Sequence, residues 1–442
     1  MKTVAALSHA VAGYSVAGYA VAGLALALNP SAWAGDCDLS PRSLRAGADT
    51  DVVVCGDDLP AGTAFDAAAN ADIIYVQPLE RCGPVDKRGG FHLVLNASRA
   101  DIGTATVAVT ATDGETNDAI CSGELELLPA RDAEPPAWLD AMPDTDARFI
   151  DVDGIRTRYF ELGSGPAIVL VHGGMAGGAN NNAQKWEQNF AAFARTHRVI
   201  ALDRLAQGGT GNLSAPGDYA DYFARDARHL EAFLDALDVR GATLVGHSQG
   251  GWPVTAVALR RPDLVGCLVN VDTVMVPDDM AAMQEALAFM LYAARYVHPP
   301  DGPTVPSARR AMALRYPSGN NITTTKAERV VAQHNDPKSI EARKQMATQR
   351  MTPMHPTFRA LKENALRDIE SGDLDARSLV IWGEFDPQVP LGLGEQLDAL
   401  LIAAGAESEF VIIDDAGHAP FIEYPDRFNE LVIRHCAADS QR

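Results

Sequence analysis

The sequence has few basic residues, and they form no basic patch. Its 442 residues include 37 Lys and Arg against 58 Asp and Glu, which gives a formal net charge of −21. Nucleic acids and anionic membrane surfaces attract proteins through basic patches, so neither is an expected partner. Aromatic residues make up only 7% of the chain, and no aromatic row suggests a platform for carbohydrate or another polymer.

Signals for metals and cofactors are also missing. The 11 histidines are scattered singly, and no pair has the spacing typical of a zinc site. A glycine-rich segment at 173–178 (GGMAGG) lacks the Lys-Ser/Thr of a phosphate-binding loop and the acidic partner of a dinucleotide site. The sequence therefore predicts neither a metal nor a cofactor.

Long apolar runs are absent except at the N-terminus. Residues 4–28 are mostly apolar, and Ala32 and Ala34 are small residues typical of a signal-peptidase site. We predict a signal peptide over 1–34, a mature chain that starts near Gly35, and a secreted or periplasmic protein without stable membrane insertion. An uncleaved membrane anchor is the alternative, because the run is nearly long enough to span a bilayer.

The six cysteines divide unevenly. Four lie in the hundred residues after the predicted cleavage site: Cys37, Cys55, Cys82 and Cys121. We interpret them as two disulfides, formed in an oxidising compartment, whose pairing the sequence leaves open. Short loops favour Cys37–Cys55 with Cys82–Cys121. Cys267 lies in an apolar run and is predicted to be a buried free thiol, and Cys436 is expected near the surface.

Two structural units are expected. Residues 35–130 alternate strand-like runs with turns, which predicts a small, disulfide-bonded all-β sandwich of immunoglobulin-like class, followed by a linker at 131–146. From 147 onward strands alternate with helical segments, which predicts an α/β unit with a mostly parallel sheet. This core covers 147–273 and 373–442, and a helical cap over 274–372 interrupts it.

A nucleophile is predicted at residues 246–250 (GHSQG). An apolar strand leads into this segment and a helix-compatible run leads out, so Ser248 lies at the apex of a tight turn. The flanking glycines permit the strained turn that exposes the hydroxyl to a base. The main-chain N–H groups of Gln249 and of Gly174, which follows another apolar strand, are candidate donors to an oxyanion.

An acid and a base follow in the order that such a nucleophile needs. Asp386 ends an apolar strand and its turn, and His418 follows the next strand. The chain order is therefore Ser, Asp, His.

Together these motifs resemble the α/β-hydrolase family over about residues 147–437. The matching segments are 172–174 (HGG), 203–208 (DRLAQG), 246–250 (GHSQG), 382–386 (WGEFD) and 417–418 (GH) with 425–428 (PDRF). The resemblance implies an eight-stranded α/β-hydrolase fold with a cap. It also implies Ser248 as nucleophile, His418 as general base and then acid, and Asp386 as the group that orients the imidazole. Some relatives carry the acid after an earlier strand, where this chain has Asp272.

The substrate pocket is predicted less directly. The cap holds eight of the 11 methionines, which either line an adaptable apolar pocket or fill gaps between cap helices. The candidate pocket residues are Met175, Trp252, Met283, Met290 and Phe421.

The expected function is an exported serine hydrolase that cleaves small-molecule carboxylic esters with a mainly apolar, medium-sized acyl or aromatic portion. Carbon–carbon bond hydrolysis is the alternative, because the layout also resembles the meta-cleavage-product hydrolases. Those relatives usually carry a Trp after the catalytic His and a longer glycine-rich oxyanion loop, where this chain has 419–421 (APF) and 174–176 (GMA). Amidase and lactonase activity stay open. A non-enzymatic scaffold would require a broken triad of Ser248, His418 and Asp386. The oligomeric state is not predicted.

Overall fold

The computed structural model describes the strands between residues 38 and 128 with a few adjoining residues, then 142–279, 302–319, 321–349, 355–436 and single positions between 282 and 297. The predicted signal peptide at 1–34 lies outside these residues, as do Cys37, Cys82, Met283, Met290 and most of the predicted linker. Within the part of the chain that is described, no helix has the length and apolar character needed to cross a bilayer.

The N-terminal strands form two four-stranded sheets. One has the order β1 (Asp38–Ser40), β3 (Asp49–Cys55), β6 (Gly90–Ala97), β5 (Ala71–Leu79), and the other β2 (Ser43–Arg45), β8 (Ala119–Leu128), β7 (Thr106–Thr112), β4 (Ala64–Ala67). Neighbours are antiparallel except β2 and β8, which are parallel. Alternate residues of both sheets, such as Leu93 and Val109, share one apolar core. The predicted all-β unit is confirmed.

Two of the four N-terminal cysteines lie on described strands. Cys55 on β3 and Cys121 on β8 are both buried and both disulfide-bonded. Because Cys37 and Cys82 lie outside the described residues, the pairing stays a prediction.

The rest of the chain builds an eight-stranded sheet. Its order is β16 (Ser408–Ile413), β15 (Arg377–Gly383), β14 (Val265–Val271), β13 (Ala242–His247), β11 (Ala167–Val171), β12 (Arg198–Leu202), β10 (Ile155–Leu162), β9 (Arg148–Val152). The strands from β16 to β12 are parallel, and β10 and β9 are antiparallel. The mostly parallel sheet predicted from the alternating pattern is confirmed.

Helices cover both faces of this sheet. They are α1 (Glu187–Phe193), α2 (Tyr222–Ala236), α3 (Gly251–Arg260), α4 (Val305–Ala313), α5 (Thr324–Asn335), α6 (Pro337–Gln349), α7 (His355–Glu370), α8 (Leu391–Ala403), α9 (Pro420–Glu423) and α10 (Pro425–Cys436). Side chains alternate across a strand, so Leu170 on β11 packs with α1 and α10 while Val171 packs with α2, α3 and α8. Two apolar layers enclose the sheet.

Helices α4 to α7 fall between β14 and β15, where the alternation of the sequence stops. Met312 of α4 and Val330 of α5 join the apolar layer that α1 and α10 also form. Parallel strands place their carboxyl ends at one edge of a sheet, and the cap is inserted in the chain directly after one of these ends.

The prediction of a free thiol at Cys267 was wrong. Cys267 on β14 forms a disulfide with Cys436 at the end of α10, with an Sγ–Sγ distance of 2.04 Å and a Cα–Cα distance of 5.7 Å. The two residues are 169 positions apart, and only the packing of α10 on the sheet brings them together.

Candidate active site

Ser248 lies on a strained turn between β13 and α3. Its φ of 52° falls in the left-handed region that non-glycine residues rarely adopt. Both flanking glycines are required by close approach: a Cβ on Gly246 would lie 2.4 Å from the side chain of Val254, and one on Gly250 would lie 2.4 Å from the carbonyl oxygen of Val171. The turn predicted from the GHSQG segment is therefore present, with Ser248 at its apex.

A hydrogen-bonded chain connects three of the predicted residues. The Nε2 atom of His418 lies 3.1 Å from Oγ of Ser248, and Nδ1 lies 2.8 Å from Oδ2 of Asp386. Oδ1 of Asp386 accepts the main-chain N–H groups of Gln388 and Val389 at 2.7 and 3.1 Å. With Nδ1–H donating to the carboxylate, Nε2 is free to accept the serine proton.

The main chain of His418 is held on both sides. Its N–H donates to the carbonyl oxygen of Arg315, just after α4, at 2.9 Å. Its carbonyl oxygen accepts a hydrogen bond from Nε2 of His247 at 2.7 Å. Burial lowers the pKa of His247 well below its usual value, so this ring is neutral and donates from Nε2. Gly417 allows the contact with the cap, because a Cβ there would lie 2.2 Å from the Arg315 oxygen.

Asp272, the alternative acid, occupies a different place. It is fully buried, and its Oδ1 accepts the main-chain N–H of Gly383 at 2.9 Å. Burial, followed by the neighbouring charge of Asp386, raises the pKa of Asp272 well above its usual value. The structure places Asp386 rather than Asp272 at Nδ1 of His418.

His247, Asp272 and His418 also bring potential metal-ligand atoms within 4.8 Å of one another. Both ring nitrogens of His418 are hydrogen-bonded, to Asp386 and to Ser248. This geometry orients His418 for proton transfer from the serine rather than for a metal.

The segment at 172–174 is shaped by a residue that the sequence reading did not single out. Arg204 is buried, forms an ion pair with Asp226, and donates from Nη1 to the carbonyl oxygens of His172 and Gly174 at 3.2 and 2.9 Å. Gln207 also donates to the Gly174 oxygen, at 3.3 Å. These bonds hold the Gly174 carbonyl on the protein side of the loop. The only sequence signal for this role of Arg204 and Gln207 is that both belong to the DRLAQG segment, which directly follows strand β12.

Gly174 has a φ of +83°, and a Cβ there would lie 2.0 Å from the side chain of Asn181. Gly174 lines the same cavity as Ser248 and His418. Gln249 lies in the first helical turn after Ser248, where main-chain N–H groups have no partner within the helix. The arrangement suits two main-chain donors to a developing oxyanion.

The cavity at Ser248 has a volume of about 270 Å³. The cap contributes an apolar wall: Ala308, Ala311, Met312, Tyr316 and Val330. Besides Ser248 and His418, the polar residues that line the cavity are Asn180, Asn181, Lys185, His247, Arg315 and Gln388. Two of these residues are cationic. Sequence reasoning missed both, because neither belongs to a motif.

The tentative pocket residues that the structure describes do not line this cavity. Trp252 points into the core, donates from its indole N–H to the carbonyl oxygen of Phe223 at 2.7 Å, and packs on Phe358. Phe421 is fully buried against Trp186, with ring centroids 4.0 Å apart. Met175 packs in the same apolar cluster as Trp252. Trp252 and Phe421 are close to Ser248 and His418 in sequence, but all three side chains pack into apolar clusters and do not line the cavity.

Comparison with known proteins identifies the family. A family model described as alpha/beta hydrolase fold matches residues 166–425. A Metapseudomonas resinovorans protein named 2-hydroxy-6-oxo-6-(2'-aminophenyl)hexa-2,4-dienoic acid hydrolase is 37% identical over 123 residues, which are 28% of this chain and 40% of that relative. The chain thus matches less than half the length of this relative.

Two further matches cover more. A 2-hydroxy-6-oxononadienedioate/2-hydroxy-6-oxononatrienedioate hydrolase of Escherichia coli K12 is 26% identical over 320 residues, 67% of this chain and 98% of the relative. The solved structure of a meta-cleavage product hydrolase from Pseudomonas fluorescens IP01 has a TM-score of 0.52 and 25% identity, over 65% of this chain and 96% of that one. The chain belongs to the α/β-hydrolase family and is a hydrolase.

Proposed function

We propose that the protein is a serine hydrolase that cleaves carboxylic ester bonds through an acyl-enzyme. The observation that carries this proposal is the hydrogen-bonded chain from Ser248 through His418 to Asp386, which opens into a cavity. A serine hydroxyl is a weak nucleophile, and the His418 imidazole, 3.1 Å from its oxygen, is placed to remove its proton.

In the first half of the reaction, Oγ of Ser248 attacks the ester carbonyl carbon while Nε2 of His418 takes the hydroxyl proton. The carbonyl oxygen becomes an oxyanion that the N–H groups of Gly174 and Gln249 stabilise. His418 then gives its proton to the leaving alkoxide. In the second half, His418 takes a proton from water, the resulting hydroxide attacks the acyl carbon, and the proton returns to Ser248. Asp386 balances the imidazolium charge in both halves.

The cavity supports a small and partly polar substrate. Its volume of about 270 Å³ and its polar wall suit a short ester better than the mainly apolar, medium-sized group expected from the sequence. An acyl or alcohol part of a few carbon atoms against the wall that Ala308 and Met312 contribute fits this space.

Covalent labelling tests the nucleophile. A fluorophosphonate should react with the wild type at Ser248 and leave Ser248→Ala unlabelled, while the exposed Ser214→Ala variant labels like the wild type. A panel of 4-nitrophenyl esters of graded chain length should show turnover that falls as the acyl chain outgrows the cavity. Labelling at a residue other than Ser248 would refute the assignment.

Carbon–carbon bond hydrolysis is the second candidate. Two relatives that match this chain over most of their own length carry names of this kind. One is named a 2-hydroxy-6-oxononadienedioate/2-hydroxy-6-oxononatrienedioate hydrolase and the other a meta-cleavage product hydrolase. The same triad would serve this reaction. A vinylogous diketone offered beside the esters decides between the two: hydrolysis of the diketone with little ester turnover would establish the second candidate. An anilide and a lactone in the same panel test amidase and lactonase activity.

We also propose that the protein is exported, on the strength of the apolar run and the small residues within 1–34. Protein recovered from the envelope or medium should begin near Gly35. Alkylation without reductant should leave Cys55 and Cys121 unmodified, because both are disulfide-bonded. Recovery of the chain in the cytoplasm with residues 1–34 intact would contradict export.

A further inference from the structure

Two cationic side chains reach the cavity of the triad from different parts of the fold. Lys185 lies on the short helical turn Ala183–Trp186, which follows the Gly174 loop in the core. Arg315 follows α4 in the cap. Within the described residues, neither side chain has a carboxylate among the groups that shift its pKa, and neither forms an ion pair.

Arg315 is fixed against the triad. Its carbonyl oxygen accepts the main-chain N–H of His418 at 2.9 Å, and its Nε–H donates to Oε1 of Gln388 at 2.9 Å. Gln388 in turn donates its main-chain N–H to Oδ1 of Asp386. Nη1 donates to the carbonyl oxygen of Ala311 at 2.6 Å, which leaves Nη2 without a hydrogen-bond partner in the part of the chain that is described. The guanidinium is therefore held at the edge of the cavity with a donor to spare.

Lys185 is in an unfavourable environment for a cation. Burial lowers its pKa to about 7, and the positive charges of Arg315 and Lys326 add to the effect. Lys326 lies 3.5 Å from a carboxylate oxygen of Glu187, whereas Lys185 has no such partner among the described residues. Buried charges are normally paired with charges of opposite sign, and neither cation at this cavity has a carboxylate partner among the described residues. The Arg315 guanidinium also lies 5.8 Å from the ring centroid of Phe289, a contact that does not neutralise its charge. An anion in the cavity would supply the missing partner.

We propose that Lys185 and Arg315 form a subsite of this cavity that binds a carboxylate group of the substrate. The inference rests on the proposed function and narrows its substrate class to esters that carry a carboxylate a few bonds from the scissile carbonyl. The carboxylate bridges the core and the cap, since Lys185 belongs to the core and Arg315 to the cap. The apolar wall around Met312 takes the carbon chain between the carboxylate and the ester.

Matched pairs of substrates test the subsite. In 4-nitrophenyl hydrogen glutarate the carboxylate is on the acyl side, and in 3-acetoxybenzoate it is on the alcohol side. The methyl esters of the two carboxylates are the neutral controls. In the wild type, kcat/KM for the anionic member of at least one pair should exceed that of its methyl ester by roughly tenfold or more, because hydrogen bonds to charged groups are the strong ones. The responding pair shows which side of the ester the cations face.

Variants connect the preference to the two residues. Lys185→Met should lower kcat/KM for the preferred anionic ester by roughly 10- to 100-fold and change that of its neutral partner much less. Arg315→Met should lower kcat/KM for the anionic ester by a similar factor and also lower that of the neutral ester, because its Nε–H holds Gln388, whose main-chain N–H binds Asp386. Lys344→Met removes the same charge from the exposed face of α6 and should alter neither value. Because Arg315 also anchors Gln388, Lys185→Met keeps the test valid if Arg315→Met does not fold.

Binding without turnover separates this inference from the proposed function. Glutarate should bind the Ser248→Ala protein in calorimetry. Adding Lys185→Met to Ser248→Ala should weaken glutarate binding by roughly 10- to 100-fold, the factor expected for kcat/KM. Glutarate binding without ester hydrolysis would support the subsite and refute the esterase function. Equal kcat/KM within both substrate pairs, or no glutarate binding by a protein that hydrolyses neutral esters, would overturn the subsite and leave the function standing.

Discussion

Oδ2 of Asp386 lies 2.8 Å from Nδ1 of His418, while Oδ1 of the same carboxylate accepts two main-chain N–H groups. The carboxylate is therefore fixed at both oxygens and cannot turn away from the imidazole. Asp272, a neighbouring buried carboxyl, accepts the main-chain N–H of Gly383 instead, and burial raises its pKa well above the usual value. These contacts assign Asp386, rather than Asp272, as the partner of the His418 imidazole.

The first prediction follows from this assignment. Ser248→Ala and His418→Ala should each lower kcat by roughly three to six powers of ten, and Asp386→Asn should leave a small residual activity, because the triad acts as a unit. Asp272→Asn should remain close to wild type, since the amide oxygen can still accept the Gly383 N–H with little change in shape. Ester turnover and circular dichroism of each variant check the effects. An inactive Asp272→Asn beside an active Asp386→Asn would reverse the assignment.

A second prediction concerns the oxyanion loop. Gly174→Ala should lower kcat/KM by roughly 10²- to 10³-fold, because a Cβ there would displace Asn181 and move the N–H donor. Gly154→Ala is the matched control. It has nearly the same φ, +81°, but nothing lies within 4 Å of the added Cβ.

The control separates the strain of a side chain at positive φ, which both variants share, from the displacement of Asn181, which only Gly174→Ala causes. Gly154→Ala should lower the melting temperature slightly and leave kcat/KM unchanged. Equal kcat/KM for the wild type and Gly174→Ala would show that the Gly174 loop does not carry the oxyanion donor.

The third prediction is a pH dependence of stability that Glu423 causes. This carboxyl is buried, and its two oxygens accept hydrogen bonds from Gly417 N–H and from the N–H and hydroxyl of Ser318. Burial nevertheless raises its pKa to about 7. Since the folded pKa lies above the unfolded value, the folded chain keeps a proton that the unfolded chain releases. The stabilisation from this proton is complete below about pH 4.5 and is lost as the pH rises to about 7.

Urea unfolding of the wild type and of Glu423→Gln at several pH values measures this effect. The free energy of unfolding of the wild type relative to Glu423→Gln should fall by about 3 kcal/mol between pH 4.5 and 7 and stay level above pH 7. Other titrating groups are common to both proteins and cancel in the difference. A difference that does not change with pH would show that folding does not raise the pKa of Glu423.

The sequence predicted the triad because each member follows the carboxyl end of a parallel strand. Ser248 follows β13, Asp386 follows β15 and His418 follows β16, and parallel register brings such ends to one edge of the sheet. Apolar runs and turn residues identify strand ends well, because both are local properties of the chain. The same reasoning gave the order of the core elements.

The cavity could not be predicted in the same way. Trp252 and Phe421 lie near Ser248 and His418 in sequence, but the direction of a side chain depends on the packing of its element, and both side chains are buried in the core. Lys185 and Arg315 lie 130 residues apart in sequence and meet only when the cap folds onto the core. The disulfide between Cys267 and Cys436 likewise depends on a contact between elements that are distant in sequence. Contacts between distant elements leave no periodic signal in the chain.

The last prediction concerns that disulfide. It connects β14 to the C-terminal helix α10 and closes a loop with a sequence separation of 169, so its loss restores much chain entropy to the unfolded state. A Cys267→Val, Cys436→Ala double variant should lower the free energy of unfolding by about 2–5 kcal/mol. Activity at 25 °C should be retained, because Cys267 lies near the start of β14 and Asp272 and the triad lie beyond the other end. Variants are preferable to reductant here, since a reductant also attacks the disulfides of Cys55 and Cys121. If the double variant unfolds at the same urea concentration as the wild type and free thiols are titrated in the untreated protein, the Cys267–Cys436 bond does not form in solution.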